Sequence, residues 1–497
     1  MRGIVAVVFV TAAVHLSLDA FTHLAPWTNN DNALLLFISR EMARGTRLYV
    51  DLLDADLPSI FFIGRLALGL SWVGIPFVLA YNLLVLAISA VGLIVLARAL
   101  QARRTPGPAV VLTLAAYVFF AMKAGALTRD FGQREHLFAL LLVPEMFWLM
   151  SADRPRWRPL WCAALAFTAM IKPQFAAILA LLEVTAPRDK RPSRADLAGF
   201  AAGTVAPFVL LWWHSSWSFA ALFTDTVELH LSGAYALLNA SPRVLLARGP
   251  LIVFGLGCAA VALLARAARV SAASRSIAWR GCMLIVMGAA AVVHQQKYFP
   301  YHFTPLFGFA VVCGAWAAGT VWGPRRPALS NGLAACVALF GAALFHLNVA
   351  GNGEPLPVRL AQVVGVAEPR MLVASIYSHG LCTPFAGAPR CIGPELQAPR
   401  LPLLASQSDG EESLRRWADT FGDIVRRARP ELLVISTSSA ARMPGRRTPA
   451  EILLRDFRAI GPEYVRLTPE IAREVDARKW LVLRRRDVRE VVSDGAD

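Results

Sequence analysis

Apolar runs of membrane-spanning length, separated by short polar connectors, recur from residue 4 to residue 349 and then stop. Helices of such length cross the ~30 Å hydrocarbon layer. The runs fall at 4–24, 75–97, 109–123, 134–150, 197–213, 250–265, 281–294, 303–322 and 331–349. The pattern predicts a mostly α, polytopic membrane domain over 1–349. In the first run Asp19, His15 and His23 occupy the region where a small-residue cleavage site belongs, so this run is expected to stay as a span.

The stretch 159–185 sets the count. Basic clusters lie at Arg98/Arg103/Arg104, Arg154/Arg156/Arg158, Arg188/Lys190/Arg191/Arg194, Arg266/Arg269/Arg275/Arg280 and Arg325/Arg326. By the positive-inside rule these clusters and Arg2 are cytoplasmic. A single helix over 159–185 would put successive clusters on opposite sides. Two short limbs meeting at Lys172-Pro173-Gln174 satisfy all of them, and proline breaks a helix by removing a hydrogen bond. Nine runs and two limbs predict about eleven membrane segments. The limbs are too short for a full crossing, so their non-helical tip must line a cavity, with Lys172 pointing into it.

Beyond residue 349 the pattern changes to that of a soluble α/β domain. Short β-rich runs at Met371–Tyr377, Leu432–Thr437 and Trp480–Leu483 flank an amphipathic helical pattern over Glu411–Arg429. An odd number of segments from a cytoplasmic N-terminus places 350–497 outside, in the periplasm if the membrane is a bacterial inner membrane. Five cysteines lie within apolar segments as small core residues. Cys382 and Cys391, in the loop CTPFAGAPRC, are expected to form a disulfide in an oxidising compartment.

Composition removes one class of partner. The formal net charge is +16, but the arginines sit in short connectors between apolar runs, which is a topology signal and not a nucleic-acid-binding face. Membrane lipids are the expected surroundings.

The candidate chemistry gathers in the connectors expected outside. The acidic loop 25–58 follows the first run and carries Asp31, Asp51, Asp54 and Asp56. Carboxylates at a membrane surface are expensive to desolvate, and a site for a polar substrate explains them better than a solvated connector. The next connectors hold Lys123, Arg129, Asp130, Gly132, Gln133, Arg134 and Glu135; then Lys172; then Asp225, Glu228, His230 and Tyr235; then His294-Gln295-Gln296-Lys297-Tyr298-Phe299-Pro300-Tyr301-His302. Three of the five lysines are here, in a chain that otherwise uses arginine. A compact point charge suits a phosphate. Snorkelling at the interface would account for any one lysine but less well for all three.

The order of these parts resembles the GT-C class of polyprenyl-phosphate-sugar-dependent glycosyltransferases. The parts are an aspartate in a long first loop, Ala43-Arg44-Gly45-Thr46-Arg47-Leu48-Tyr49-Val50-Asp51, the Gly132-Gln133 helix start, Lys172-Pro173-Gln174, and Gln296-Lys297 leading to Tyr301-His302. The resemblance covers 1–349. It is strongest toward the bacterial lipid-linked-sugar enzymes that include the aminoarabinose transferase, protein mannosyltransferases and mycobacterial mannolipid mannosyltransferases. It implies transfer of a sugar from a polyprenyl-phosphate donor to a lipid, glycan or protein acceptor, with inversion expected.

Under this resemblance Asp31 matches the first-loop aspartate and is the expected general base. Lys297, Arg134 and Lys172 are expected to neutralise the departing phosphate, aided by Arg129 and Tyr301. His302 is expected to orient Asp31 or to bind phosphate. Asp51, Asp54, Asp56, Asp130 and Glu135 are secondary or acceptor-side candidates. The stretch Ala33–Ala43 is expected to lie along the membrane surface as an amphipathic fence. Two features depart from the class: Asn32 follows Asp31 where an acidic partner is frequent, and Leu57-Pro58 stands where Lys-Pro-Pro is often found. No cofactor is implied, and a divalent metal is compatible with these carboxylates without being specified by them.

Two other classes compete. A transporter or flippase for an anionic lipid-linked substrate also uses broken helices with cations at mid-membrane, but no internal repeat relates the two halves and the charges gather on one side. A structural assembly subunit leaves the acidic loop unexplained.

Overall fold

A computed structural model describes residues 30–52, 54, 56–123, 131–150, 155–187, 191–226, 241–296, 298–328, 332–334, 336–337, 360, 369–374, 390–392, 410–437, 453, 463–467 and 480–488. The helical part begins with α1 (Asn30–Ala43), α2 (Ser59–Ser71), α3 (Phe77–Ala102), α4 (Gly107–Lys123) and α5 (Arg134–Trp148). It continues through α6 (Arg158–Ala169), α7 (Pro173–Val184), α8 (Arg194–His214), α9 (Ser216–Ala221), α10 (Arg248–Ala267), α11 (Ala272–Gln295) and α12 (Thr304–Trp322). Among the described residues five helices are long and apolar enough to cross a membrane, and α2, α4 and α7 are shorter apolar helices. The expected total of about eleven segments includes runs at 4–24 and 331–349; the first lies outside the described residues, as does most of the second.

α5 is the axis of the bundle. Every residue from Arg134 to Trp148 is buried, the apolar run Leu137–Pro144 by packing and the charged residues at either end by ion pairs. α8 is the opposite case, with Trp212 and Trp213 at 61% and 81% exposure and only one narrow face buried. That face is a small-residue stripe. Gly199 and Gly203 lie one turn apart, and a Cβ on either would fall 2.2 Å from the Pro159 carbonyl oxygen or 2.1 Å from that of Ala163. α8 therefore rides directly on the backbone of α6, the close approach that paired small residues permit. Its start is fixed by a capping box: Ser193 Oγ accepts from Asp196 N at 3.2 Å, and Asp196 Oδ2 accepts from Ser193 N at 2.9 Å.

The break between α6 and α7 falls where the sequence predicts it. α6 ends before Met170, Lys172 is extended (φ −143°, ψ 139°), and Pro173 opens α7. Proline is favoured at a first helical position and pushes the residue before it out of the helical region. Lys172 is thus held at a helix interruption.

α1 contains Ala33–Ala43 and is covered by the protein over most of its circumference: Ala33, Leu35, Leu36, Phe37, Ile38, Ser39 and Met42 are all buried. Its run of apolar residues is too broad for a one-sided helix, and α2, which follows the acidic loop, covers it. Ser39 Oγ donates to carbonyls on both helices, Leu35 O at 2.6 Å and Phe61 O at 3.0 Å. Gly64 makes the approach feasible, since a Cβ there would fall 2.1 Å from Ser39 Oγ.

The C-terminal part forms a five-stranded sheet in the order β2-β1-β3-β5-β4. The strands are β1 (Arg370–Ala374), β2 (Arg390–Ile392), β3 (Leu432–Ser436), β4 (Tyr464–Arg466) and β5 (Trp480–Arg485). β1 is parallel to β2 and β3, and β5 is antiparallel to β3 and β4. Helix α13 (Gly410–Ala428) buries Ala418, Phe421 and Val425 against Leu372, Leu433 and Ile435. The three apolar runs and the helix match the sequence pattern; β2 and β4 are too short to show in it. Cys391, on β2, is disulfide-bonded, whereas Cys162, Cys258, Cys282, Cys313 and Cys336 are free. Cys382, its expected partner, lies outside the described residues.

Candidate active site

The loop between α1 and α2 turns its acids in different directions. Asp51 is exposed and paired with Arg47 at 2.7 Å. Tyr49, in a left-handed conformation (φ 66°), sends its hydroxyl inward to donate to Asp56 O at 2.6 Å. That anchor draws Asp54 and Asp56 into the protein, where both are buried and Asp56 N donates to Asp54 Oδ1 at 2.8 Å. Burial first, and then the neighbouring Asp56 charge, push the Asp54 carboxyl up to about 8. No acidic side chain caps α2 at Pro58.

The start of α5 is held from three sides. Gly132 has φ +76°, and a Cβ there would press on Tyr81, Asn32 and Val85 at 3.0, 3.1 and 3.2 Å. Tyr81 donates to Gly132 O at 2.6 Å, Asn32 Nδ2 donates to Phe131 O at 2.8 Å, and Gly132 N donates to His136 Nδ1 at 3.1 Å. The result is a fixed direction for Arg134 and Glu135. Arg134 forms an ion pair with Asp56, and Glu135 forms one with Lys172 at the α6/α7 break. Lys172 also lies 3.4 Å from Gln295 Oε1 at the end of α11.

One ring organises the two cations. Tyr301, just after α11, has the Arg134 guanidinium 5.4 Å and the Lys172 ammonium 5.6 Å from its ring centroid, within cation–π range. The ring in turn stacks on Phe299 and meets His302 edge-on, at centroid distances of 5.6 and 4.5 Å. Left-handed residues Gln296 (φ 52°) and Tyr298 (φ 51°) turn the chain from α11 back toward the site.

Residues from four distant segments therefore meet: Asp54 and Asp56, Arg134 and Glu135, Lys172, and Gln295 with Tyr301 and His302. For Asp31 the main chain alone is described, in the first turn of α1, next to Asn32, which holds the turn leading into Arg134. Lys297, Arg129 and Asp130 lie outside the described residues. Asp51 is not brought into the cluster. Gln295 and the anchors Asn32 and Tyr81 carry no separate signal in the sequence, because their partners are backbone atoms or a remote lysine.

The arrangement can receive an anion. Arg134 and Lys172 present two donors at a buried, aromatic-lined point, and each is neutralised by a carboxylate. Among the described residues no group of three His, Cys, Asp or Glu side chains is disposed to hold a metal ion.

A second polar cluster lies near the other end of α5, about ten residues and ~15 Å farther along its axis. Glu145 accepts from Arg158 at 2.8 Å and from Trp161 Nε1 at 2.7 Å, and Arg158 Nε reaches Asp196 at 3.4 Å. It ties α5, α6 and the capping box of α8 into one unit.

No family model and no curated protein matches the sequence. Solved structures match the fold, among them two of one protein. The crystal structure of ArnT from Cupriavidus metallidurans bound to undecaprenyl phosphate is 13% identical and superposes with a TM-score of 0.58 over 99% of both chains. The apo state of the same protein is 15% identical, with a TM-score of 0.55 over 96% of this chain and 97% of the other. At such identity the likeness is one of fold, and it extends through the C-terminal sheet as well as the helices. The chain therefore shares the fold of ArnT.

Proposed function

We propose that this chain is an integral-membrane glycosyltransferase that moves a sugar from a polyprenyl-phosphate donor to a lipid, glycan or protein acceptor at the periplasmic face of a bacterial inner membrane. The observation that carries this reading is the pair of cations, buried Arg134 and part-buried Lys172, both within reach of the Tyr301 ring, in a chain whose fold is shared with a protein that binds undecaprenyl phosphate.

The chemistry follows from the leaving group. An acceptor hydroxyl loses its proton to Asp31 and attacks the anomeric carbon, and the carbon–oxygen bond to phosphate breaks with inversion. The phosphate leaves with one more negative charge than the donor carried. Arg134, Lys172 and Lys297 offset that charge as it develops, which is where electrostatic stabilisation accelerates a reaction. Asp31 stands at the start of α1, and Asn32 ties that start to the turn before Arg134, so base and phosphate site share one anchor. The C-terminal domain over 350–497 lies on the same face, with Cys382 bridged to Cys391.

Mass spectrometry of the purified protein tests the donor class. A co-purifying polyprenyl phosphate, displaced by added undecaprenyl phosphate, is expected; a preparation that neither carries nor binds such a lipid would remove the proposal. Lys297→Ala is expected to weaken donor binding more than acceptor binding.

A further inference from the structure

Two of the cations expected to meet the phosphate, Arg134 and Lys172, are already occupied. Lys172 is paired with Glu135, which is fully buried, and Arg134 is paired with Asp56, also buried. With Asp54 holding its proton at neutral pH, these four charges sum to zero. Neutrality lets the cations be buried before any ligand arrives, since an isolated buried charge is strongly disfavoured. It also means that an incoming phosphate meets no net positive charge from these four groups.

Resting on the function proposed above, we propose that the phosphate binds by exchanging ion-pair partners: it displaces Glu135 from Lys172 and Asp56 from Arg134, and the two carboxylates act as built-in competitors. The geometry favours exchange over simple addition. Each cation has a short carboxylate contact, Lys172 has a neutral second partner in Gln295 at 3.4 Å, and Tyr301 holds both cations in place when a carboxylate leaves. Gln295 is the group that keeps Lys172 aimed at the site during the exchange.

Competition gives the site selectivity along the reaction. The donor is a phosphodiester with one negative charge; the departing monoester develops a second. A singly charged phosphate contests the carboxylates on nearly equal terms, whereas the doubly charged leaving group wins. The cations therefore engage most fully when the sugar–phosphate bond is breaking, which is differential binding of the transition state. Glu135 and Asp56 are positioning residues in this scheme, holding Lys172 and Arg134 in reserve without touching the reacting atoms.

The sign of one substitution separates this from a structural role. Glu135→Gln keeps the size and a hydrogen-bond acceptor for Lys172 but removes the competitor. Titration of the detergent-solubilised full chain with undecaprenyl phosphate should show about tenfold tighter binding than wild type, equivalent to about 1.4 kcal/mol, and Asp56→Asn should shift binding in the same direction. In a transfer assay the donor KM should fall, because the donor no longer has to displace Glu135 to reach Lys172. Binding that is unchanged or weaker in Glu135→Gln, while wild type binds, overturns the exchange and leaves the glycosyltransferase reading standing. Failure of wild type to bind the lipid removes both. If the variants do not fold, an apolar carbodiimide applied to wild type should form a Glu135–Lys172 amide that saturating undecaprenyl phosphate suppresses. Persistence of that cross-link under saturating lipid also overturns the exchange.

Discussion

Asp56 and Arg134, 78 positions apart, form a buried ion pair that ties the first loop to the start of the central helix. Around this contact the loop acids acquire distinct environments: Asp51 faces solvent, Asp54 is buried beside a like charge, and Asp56 is spent on a guanidinium. In the mechanism proposed above the general base is instead Asp31, at the start of α1.

Asp31→Asn is expected to fold and to bind undecaprenyl phosphate normally while transfer falls by at least ~100-fold, the usual contribution of a general base. Radiolabelled sugar transfer with purified protein measures this. Near-normal turnover here, with loss in Asp54→Asn or Asp56→Asn, would reassign the base.

Replacing Tyr301 separates its face from its hydroxyl. Tyr301→Leu removes two cation–π contacts, each worth about 0.5–2 kcal/mol, and should weaken binding of undecaprenyl phosphate about tenfold. Tyr301→Phe should stay close to wild type. Equal affinity in the leucine variant would reduce the ring to filler.

Donor affinity should decline as pH rises through about 8. Asp54 is held neutral below that value by burial and by Asp56, and it becomes a carboxylate above it. The new charge competes with phosphate for Arg134, so binding is strongest on the acid side of the transition. Asp54→Asn stays neutral at all pH and should flatten the profile; an unchanged slope would assign the titration to another group.

The α6–α8 contact predicts a stability effect far from the site. Gly203→Val places its first side-chain carbon only 2.1 Å from Ala163 O, and overpacking of this kind costs about 1–3 kcal/mol or more. Thermal unfolding in detergent should drop by several degrees. Gly255→Ala, whose Cβ meets nothing within 4 Å, is the control.

Topology is tested by fusion. Alkaline phosphatase joined after residue 349 should be active, and thiol labelling of denatured, unreduced protein should find neither Cys382 nor Cys391 free. A phosphatase-inactive fusion would overturn the outside assignment of 350–497.

How much of this was legible in the sequence depended on range. Lys172-Pro173-Gln174 announces its break because proline acts on its own neighbours, and Gly132 announces the turn before α5 for the same reason. The strands at 370–374, 432–436 and 480–485 are readable from apolar runs alone. The pairings Asp56–Arg134 and Glu135–Lys172 are not, since they join residues 78 and 37 positions apart and no local rule links them. The burial of α1 was hidden for a related reason: its apolar breadth is visible, but that α2 folds back over it depends on Gly64 meeting Ser39. The Glu145–Arg158–Asp196 cluster lay unseen beneath arginines that the positive-inside rule had already explained.

The interruption at 170–172 also limits how this chain can change in length. The three residues between Ala169 and Pro173 are not helical, so each spans up to ~3.5 Å of chain. A single deletion there would pull Lys172 away from Glu135, Gln295 and Tyr301 together. These three residues have a length set by the partners that Lys172 must reach.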